Sequence, residues 1–315
     1  LIPTSFGTLA VNVFFTISGL LLAKSYIERD HLVDFIRSRL LRIYPALVIA
    51  VLFTTFLVGL LFTNVDRLAY LVDAETQSYL LRNRLMVRLG IRSSLPGVFV
   101  HNKPPNAVND PLWTLPYELR MYGLVALAGV LGLLRRRAAF NAACVAAVAA
   151  LWMFHARGGA AGADDWLPQF ERLGVFFLAG TACYINRGWV PIDWRVWGAC
   201  VALAVLTYPT PWFMSAFWLA LVYSIFAIAY LPQGRIRMFN RMGDYSYGLY
   251  VYGFPVQQAF ASLVPSAGPW LIFAASMAVT LPLAVASWKF IEAPALSLKS
   301  HRTSRALRPI QVARA

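Results

Sequence analysis

A chain of 315 residues with 59% hydrophobic and only 13% charged side chains is about half as charged as a soluble globular protein, which carries about 25%. Its mean hydropathy of +0.60 excludes an ordinary soluble domain. The net charge of +14 suggests nucleic acid at first. However, the basic residues fall in short clusters between apolar stretches, the pattern of Lys and Arg retained on the cytoplasmic side of a bilayer, and no nucleic-acid partner is expected.

The chain opens at Leu1 without a signal-peptide n-region, which is expected of a fragment or a trimmed chain. The first apolar stretch covers 8–26. A basic loop follows with Lys24, Arg29, Arg37, Arg39 and Arg42. The second stretch, 43–62, opens at Ile43-Tyr44-Pro45, where proline is tolerated at a helix start. The segment 63–111, with S-L-P-G and N-K-P-P-N, is too polar to span. Its middle, Ala69 to Arg92, reads as an amphipathic helix on the bilayer surface. Further apolar stretches cover 112–134, 138–155, 170–186, 195–209, 212–231, 245–263 and 269–290. Most are long enough to cross a core of roughly 30 Å; 195–209 is short and turns at Pro209-Thr210-Pro211. The expected fold is an all-α, polytopic transmembrane bundle of nine spans with a basic tail at 301–315 and no soluble domain.

Loop charge sets the expected orientation. One side carries Lys24 to Arg42, Arg135 to Arg137, Arg187 with Arg195, Arg235 to Arg241, and the basic tail. The short loops of the other side carry Arg157 against Asp164 and Asp165. This bias places residue 1 outside and the C-terminus in the cytoplasm. Cys144, Cys183 and Cys200 lie in or beside apolar stretches without CxxC or Cys/His spacing, so they read as packing residues, with neither disulfide nor metal expected.

Ionisable groups inside spans are costly and therefore functional candidates. Glu118 and Arg120 fall about two turns inside the outer end of 112–134, and Glu118 is read as the only acid well inside a span. Pro116, just before it, is expected to perturb the helix and free carbonyls near the acid. Two readings of Glu118 stand side by side: a functional carboxylate, and a structural ion pair with a neighbouring Arg. Arg39 and Arg42, three apart on one helical face, are either topological anchors or a phosphate site built from guanidinium forks. Asp244 or Ser246 could cap the helix that follows, and the tyrosines after them read as an interfacial belt. Gln257 and Gln258 lie deeper and need partners. His31, His101, His155 and His301 stand without a nucleophile or metal partner.

Five motifs in order resemble the membrane acyltransferase-3 family, the O-acyltransferases of bacterial surface and secreted glycans. N-V-F-F-T-I-S-G-L-L-L at 12–22 resembles D-x-F-F-x-x-S-G-F-L-I, and R-S-R-L-L-R-I-Y-P at 37–45 resembles R-R-x-x-R-I-x-P. L-W-T-L-P-Y-E-L-R-M-Y at 112–122 resembles W-S-L-x-x-E-x-x-F-Y. G-D-Y-S-Y-G-L-Y-V-Y at 243–252 resembles G-x-x-S-Y-x-x-Y-L-x-H, and F-I-E-A-P at 290–294 resembles the closing E-x-P. Departures are Asn12 for the family's Asp, Gly253 where many members have His, and Leu119 where some have a second acid.

The resemblance implies a transmembrane acyltransferase domain over 1–300 in a bacterial inner membrane. It would move an acyl group, acetyl in the first instance, from cytoplasmic acyl-CoA to a sugar hydroxyl of an extracytoplasmic or lipid-linked glycan. Acyl-CoA is then a co-substrate, with no bound cofactor. By the same resemblance Arg39 and Arg42 lie near the CoA phosphates, Glu118 belongs to the reaction centre, and Ser246 and Tyr247 belong to the cytoplasmic half of the channel. It also implies a tenth helix ahead of residue 1 that bears an Arg and the histidine base. Without that helix the chain is expected to be inactive. The competing reading is a transporter or flippase for a glycan or lipid-linked sugar, against which stands the lack of paired, Gly/Pro-broken helices in matching halves.

Overall fold

The computed structural model describes residues 4–29, 31–85, 91–158, 166–231 and 243–298, and among these it is helical with no named strand. The helices, in chain order, are α1 (Phe6–Arg29), α2 (Leu32–Leu52), α3 (Leu60–Phe62), α4 (Arg67–Val72), α5 (Ala74–Leu85), α6 (Leu115–Val130) and α7 (Arg137–Ala156). They continue with α8 (Trp166–Ile185), α9 (Trp194–Leu206), α10 (Phe213–Tyr230), α11 (Ser246–Leu263), α12 (Pro269–Ser287) and α13 (Ala293–Ser297). Each expected apolar stretch coincides with a helix. Among the described residues five helical segments are long and apolar enough to cross a membrane by length and composition: Phe6–Glu28, Leu32–Phe62, Arg137–Ala156, Phe213–Tyr230 and Pro269–Ser297. The chain is a multi-pass membrane protein; α9, as suspected of its stretch, is short.

The bundle closes where small residues let backbones touch. On α1 and α8 a Cβ at Gly19 would stand 2.0 Å from the Phe177 carbonyl oxygen, and one at Gly180 would stand 2.0 Å from that of Thr16. Thr181 Oγ1 donates to the Gly19 carbonyl across the same seam at 3.1 Å. Gly248 of α11 does likewise against Ala284 of α12, 2.7 Å from its Cα.

Three elements differ from the sequence reading. First, α2 begins at Leu32 rather than Ile43, because buried Phe35 and Ser38 anchor its start. Arg39 and Arg42 therefore ride inside a helical segment, Leu32–Phe62, of 31 residues, about 46 Å long at 1.5 Å per residue, and Pro45 lies in its interior. A π-helical turn at Phe53–Gly59 joins α2 to α3; there Tyr70 donates to the Thr55 carbonyl at 2.9 Å.

Second, the surface helix expected over 69–92 is broken into α4 and α5, and residues 86–90 of that range lie outside the described residues. Asp73 separates the two helices, its carboxylate accepting from the Glu75 N–H at 2.7 Å, and Tyr70 and Tyr79 are buried against the bundle while Leu68 and Val72 stay exposed. Third, residues 91–114, too polar to span, are nonetheless packed into the bundle. Val98, Val108 and Asn109 are fully buried, and the amide of Asn109 donates to the Val251 carbonyl of α11 at 2.9 Å. Asn102 donates to the backbone and side-chain oxygens of Gln258 at 2.8 and 2.9 Å. Irregular backbone among apolar helices is tolerated where protein partners satisfy it, and these amides do so. Gln258 thus has its partners, while Gln257 is exposed.

Candidate active site

Where α1, α2, α6 and the turn before α11 meet, a cavity of about 550 Å³ opens. Its polar lining includes Lys24, Ser25 and Glu28 of α1, Arg39 and Arg42 of α2, Glu118 and Tyr122 of α6, and Asp244 with Ser246. Four of the five residues singled out by sequence, Arg39, Arg42, Glu118 and Ser246, share this one cavity. Tyr247 does not line it: its hydroxyl is turned to α2 and donates to the Ile43 carbonyl at 3.0 Å.

Glu118 sits in the first turn of α6, not two turns in, because a 3-10 turn over Asp110–Thr114 precedes that helix. Pro116 occupies one of the first two helical positions, where no intrahelical N–H is lost, so it creates no kink beside the acid. The height of Glu118 is set from α11, where the hydroxyls of Thr114 and Tyr250 meet at 2.6 Å and Tyr250 donates to the Pro111 carbonyl. Glu118 is 6% exposed, and Oε1 accepts from the hydroxyl of Tyr122. Arg39 and Arg42 both exert a Coulombic attraction on it. Arg120, its neighbour in sequence, turns away to the Pro116 carbonyl at 3.4 Å and lies against the ring of Tyr117.

The ion pair of this site is Arg42 with Asp244, Nη2 to Oδ2 at 2.5 Å. Ser246 Oγ donates to the other oxygen of Asp244 at 2.5 Å. Burial pushes the Asp244 carboxyl up, but the Ser246 hydroxyl and Arg42 outweigh it and hold the group below its ordinary value. A tight turn makes this possible: Gly243 has φ +100°, and its would-be Cβ meets the indole nitrogen of Trp288 at 2.8 Å. Arg39 donates to Ser25 Oγ at 2.7 Å, tying α2 to α1. In sequence Asp244 was read only as a cap; nothing local signals a partner 202 positions away. Tyr122 closes the motif at 112–122, and its i+4 spacing from Glu118, which puts both on one helical face, is the signal in the sequence that links them.

Two further readings need correction. Glu118 is not the only acid deep in a helical segment: Glu292, in the π-helical turn after α12, is 2% exposed and accepts from Ser287 Oγ at 2.8 Å. The tyrosines of α11 are not a belt, since Tyr247 and Tyr252 are buried in the core and Tyr250 stacks on Phe14 and Tyr247. His31, His101 and His155 are exposed and lie outside the cavity. His155 pairs with Glu171 at 2.9 Å, a partner the sequence reading did not find. His301, Arg235, Arg237, Arg241, Asp164 and Asp165 lie outside the described residues. The three cysteines are free, and no group of three or more metal-ligating side chains occurs among the described residues.

An anionic donor could meet Lys24, Arg39 and Arg42 in this cavity with Glu118 a few side chains away, an arrangement suited to holding a phosphorylated carrier beside an acid. The acyltransferase-3 family model, described as an acyltransferase domain, matches residues 1–289. An O-acetyl transferase of Shigella phage Sf6 is 26% identical over 324 residues, covering 95% of this chain and 88% of the relative. Nodulation protein 10 of Rhizobium leguminosarum bv. viciae is 29% identical over 326 residues, covering 96% and 86%. No solved structure matches.

Proposed function

Since the chain belongs to the acyltransferase-3 family and is an enzyme that transfers acyl groups, we propose that it carries an acetyl group from cytoplasmic acetyl-CoA to a hydroxyl of an extracytoplasmic or lipid-linked glycan. One observation carries this reading: Arg39, Arg42 and Glu118 share a single cavity between α1, α2 and α6. Guanidinium forks bind phosphate oxygens bidentately, so the arginines hold the CoA phosphates and the thioester lies toward Glu118. The phage relative is an O-acetyl transferase, which supports acetyl as the group moved. The membrane is a bacterial inner membrane in this reading, with the C-terminus in the cytoplasm.

In the reaction the acceptor oxygen attacks the thioester carbon, its proton passes to a base, the C–S bond breaks and the CoA thiolate leaves. The base in this reading is an imidazole, as the family resemblance has it. Glu118 holds that imidazole in the productive tautomer and stabilises its charged form.

Purified protein in liposomes, given labelled acetyl-CoA with and without a glycan acceptor, tests the whole reading. Label should appear on the glycan and CoA thiol should be released in equal amount. Movement of intact glycan across the bilayer without label transfer would instead identify a carrier. Orientation is tested separately, with an impermeant thiol reagent on intact cells. A cysteine at Arg136 should stay shielded, and labelling there would put the donor cavity on the wrong side.

A further inference from the structure

We propose that Tyr122 is a positioning residue for acyl transfer, fixing the plane of the Glu118 carboxyl so that one chosen oxygen faces the reacting groups. The inference rests on the role proposed for Glu118 and adds how that acid is aimed. Tyr122 and Glu118 are four residues apart on α6, 8% and 6% exposed, and both line the cavity. The hydroxyl of Tyr122 donates to Oε1 of Glu118, and among the described residues Oε2 has no hydrogen-bond partner. Oε2 is therefore the oxygen left for an imidazole or an acceptor hydroxyl.

The physical need for such an anchor is specific. The last torsion of a glutamate side chain is broad and roughly two-fold, so a carboxyl without a fixed partner rotates among many planes. Misplacing a reacting group by about 1 Å costs as much as about 10²-fold in rate. A buried phenol must also find an acceptor or incur a desolvation penalty, so the bond serves Tyr122 as much as Glu118. Arg39 and Arg42 act electrostatically on both groups, whereas Tyr122 meets the carboxyl through a directional hydrogen bond. It differs in this from Asp244, whose contacts go to Arg42 and Ser246.

Two measurements on the full chain test the idea. Infrared difference spectra should show a carboxyl band that vanishes in Glu118→Gln and shifts in Tyr122→Phe. Replacing Tyr122 by 3-fluorotyrosine, a more acidic phenol on the same ring, should shift the band in the opposite direction, which guards against misfolding of the Phe variant. In turnover, Tyr122→Phe should lower kcat by about 10-fold or more with the acyl-donor KM within about twofold, and should add almost nothing in a Glu118→Gln background. An unmoved band in both tyrosine variants, or a normal kcat in Tyr122→Phe while Glu118→Gln is slow, would overturn the positioning role and leave Glu118 standing. Normal turnover by Glu118→Gln would remove the reading of Glu118 itself.

Discussion

Helices α2 and α7 are both apolar, yet they solve different problems. The α7 segment, Arg137–Ala156, is 20 residues long and 6% of its most apolar window is buried, whereas Leu32–Phe62 runs 31 residues with 44% buried. On α7 only Phe140 is buried among its side chains, and its end is held by Arg137 over the ring of Trp189 at 3.8 Å. On α2 the buried face holds seven residues, and the same helix carries the two arginines of the cavity. A helix that mostly meets lipid needs only length and hydropathy. A helix that presents charge to a cavity needs partners drawn from distant parts of the chain, here Ser25 and Asp244.

The sharpest test of that contrast is chemical. Glu118→Gln keeps the side-chain shape and removes its charge; kcat should fall by about 10²-fold or more with little change in donor affinity. Normal turnover by the Gln variant would reduce the α2–α6 cavity to packing, no more specialised than α7.

Next in size, Arg39→Ala and Arg42→Ala should each weaken CoA binding by roughly one to two decades, since a charge-assisted hydrogen bond contributes about 1.5–3 kcal/mol. Lysine should restore part of this, because the fork geometry is lost. Equilibrium binding of CoA to folded variants decides the point: unchanged affinity would make both arginines topological anchors.

The two helices also mark how far the sequence was legible. Hydropathy alone located α7 and the other apolar stretches, because burial in lipid leaves a continuous apolar run. It misjudged the start of α2, since Arg37, Arg39 and Arg42 look like loop residues until their contacts are known. Glu118 was legible because an acid inside an apolar run is costly wherever its partners lie. The pairing of Arg42 with Asp244 was not, for no spacing rule spans 202 residues. Glu292 escaped for a related reason: it sits beside Lys289 near the chain's basic tail and looks exposed, whereas the π-helical turn carries it inward to Ser287. The packing of residues 91–114 was hidden because the segment reads as too polar to span, while in the fold the amides of Asn102 and Asn109 satisfy carbonyls of α11.

Packing gives a smaller, cleaner comparison. Gly19→Leu drives side-chain atoms into the Phe177 backbone, where even a Cβ would stand 2.0 Å from the carbonyl oxygen. Overpacking of this kind costs about 1–3 kcal/mol, and more where backbone must move. Ala146→Leu on the exposed face of α7 should change stability by no more than about 0.5 kcal/mol. Unfolding in detergent, followed by intrinsic tryptophan fluorescence, measures both. Equal losses would mean that α7 is packed in the membrane against a surface as close as the α1–α8 seam.

A small effect is also expected at Asp244, and its sign follows from linkage. Asp244 lies outside the helical segments, with its carboxyl held below the ordinary value. A carboxyl lowered in the folded state contributes stability that is fully present above the unfolded-state value, near 3.9, and is lost as pH falls through the lower folded-state value. Its contribution should therefore be flat from about pH 5 to 8 and fade only below about pH 4. The Arg42 and Asp244 side chains are 31% and 40% exposed, and pairs this open contribute about 0–1 kcal/mol. Asp244→Asn should thus cost at most about 1 kcal/mol near neutrality and remove that part of the acid-side loss. A larger cost, or a loss that already begins near pH 6, would mean that Asp244 does more than hold Arg42 in the cavity, and that the turn before α11 is itself part of the donor site.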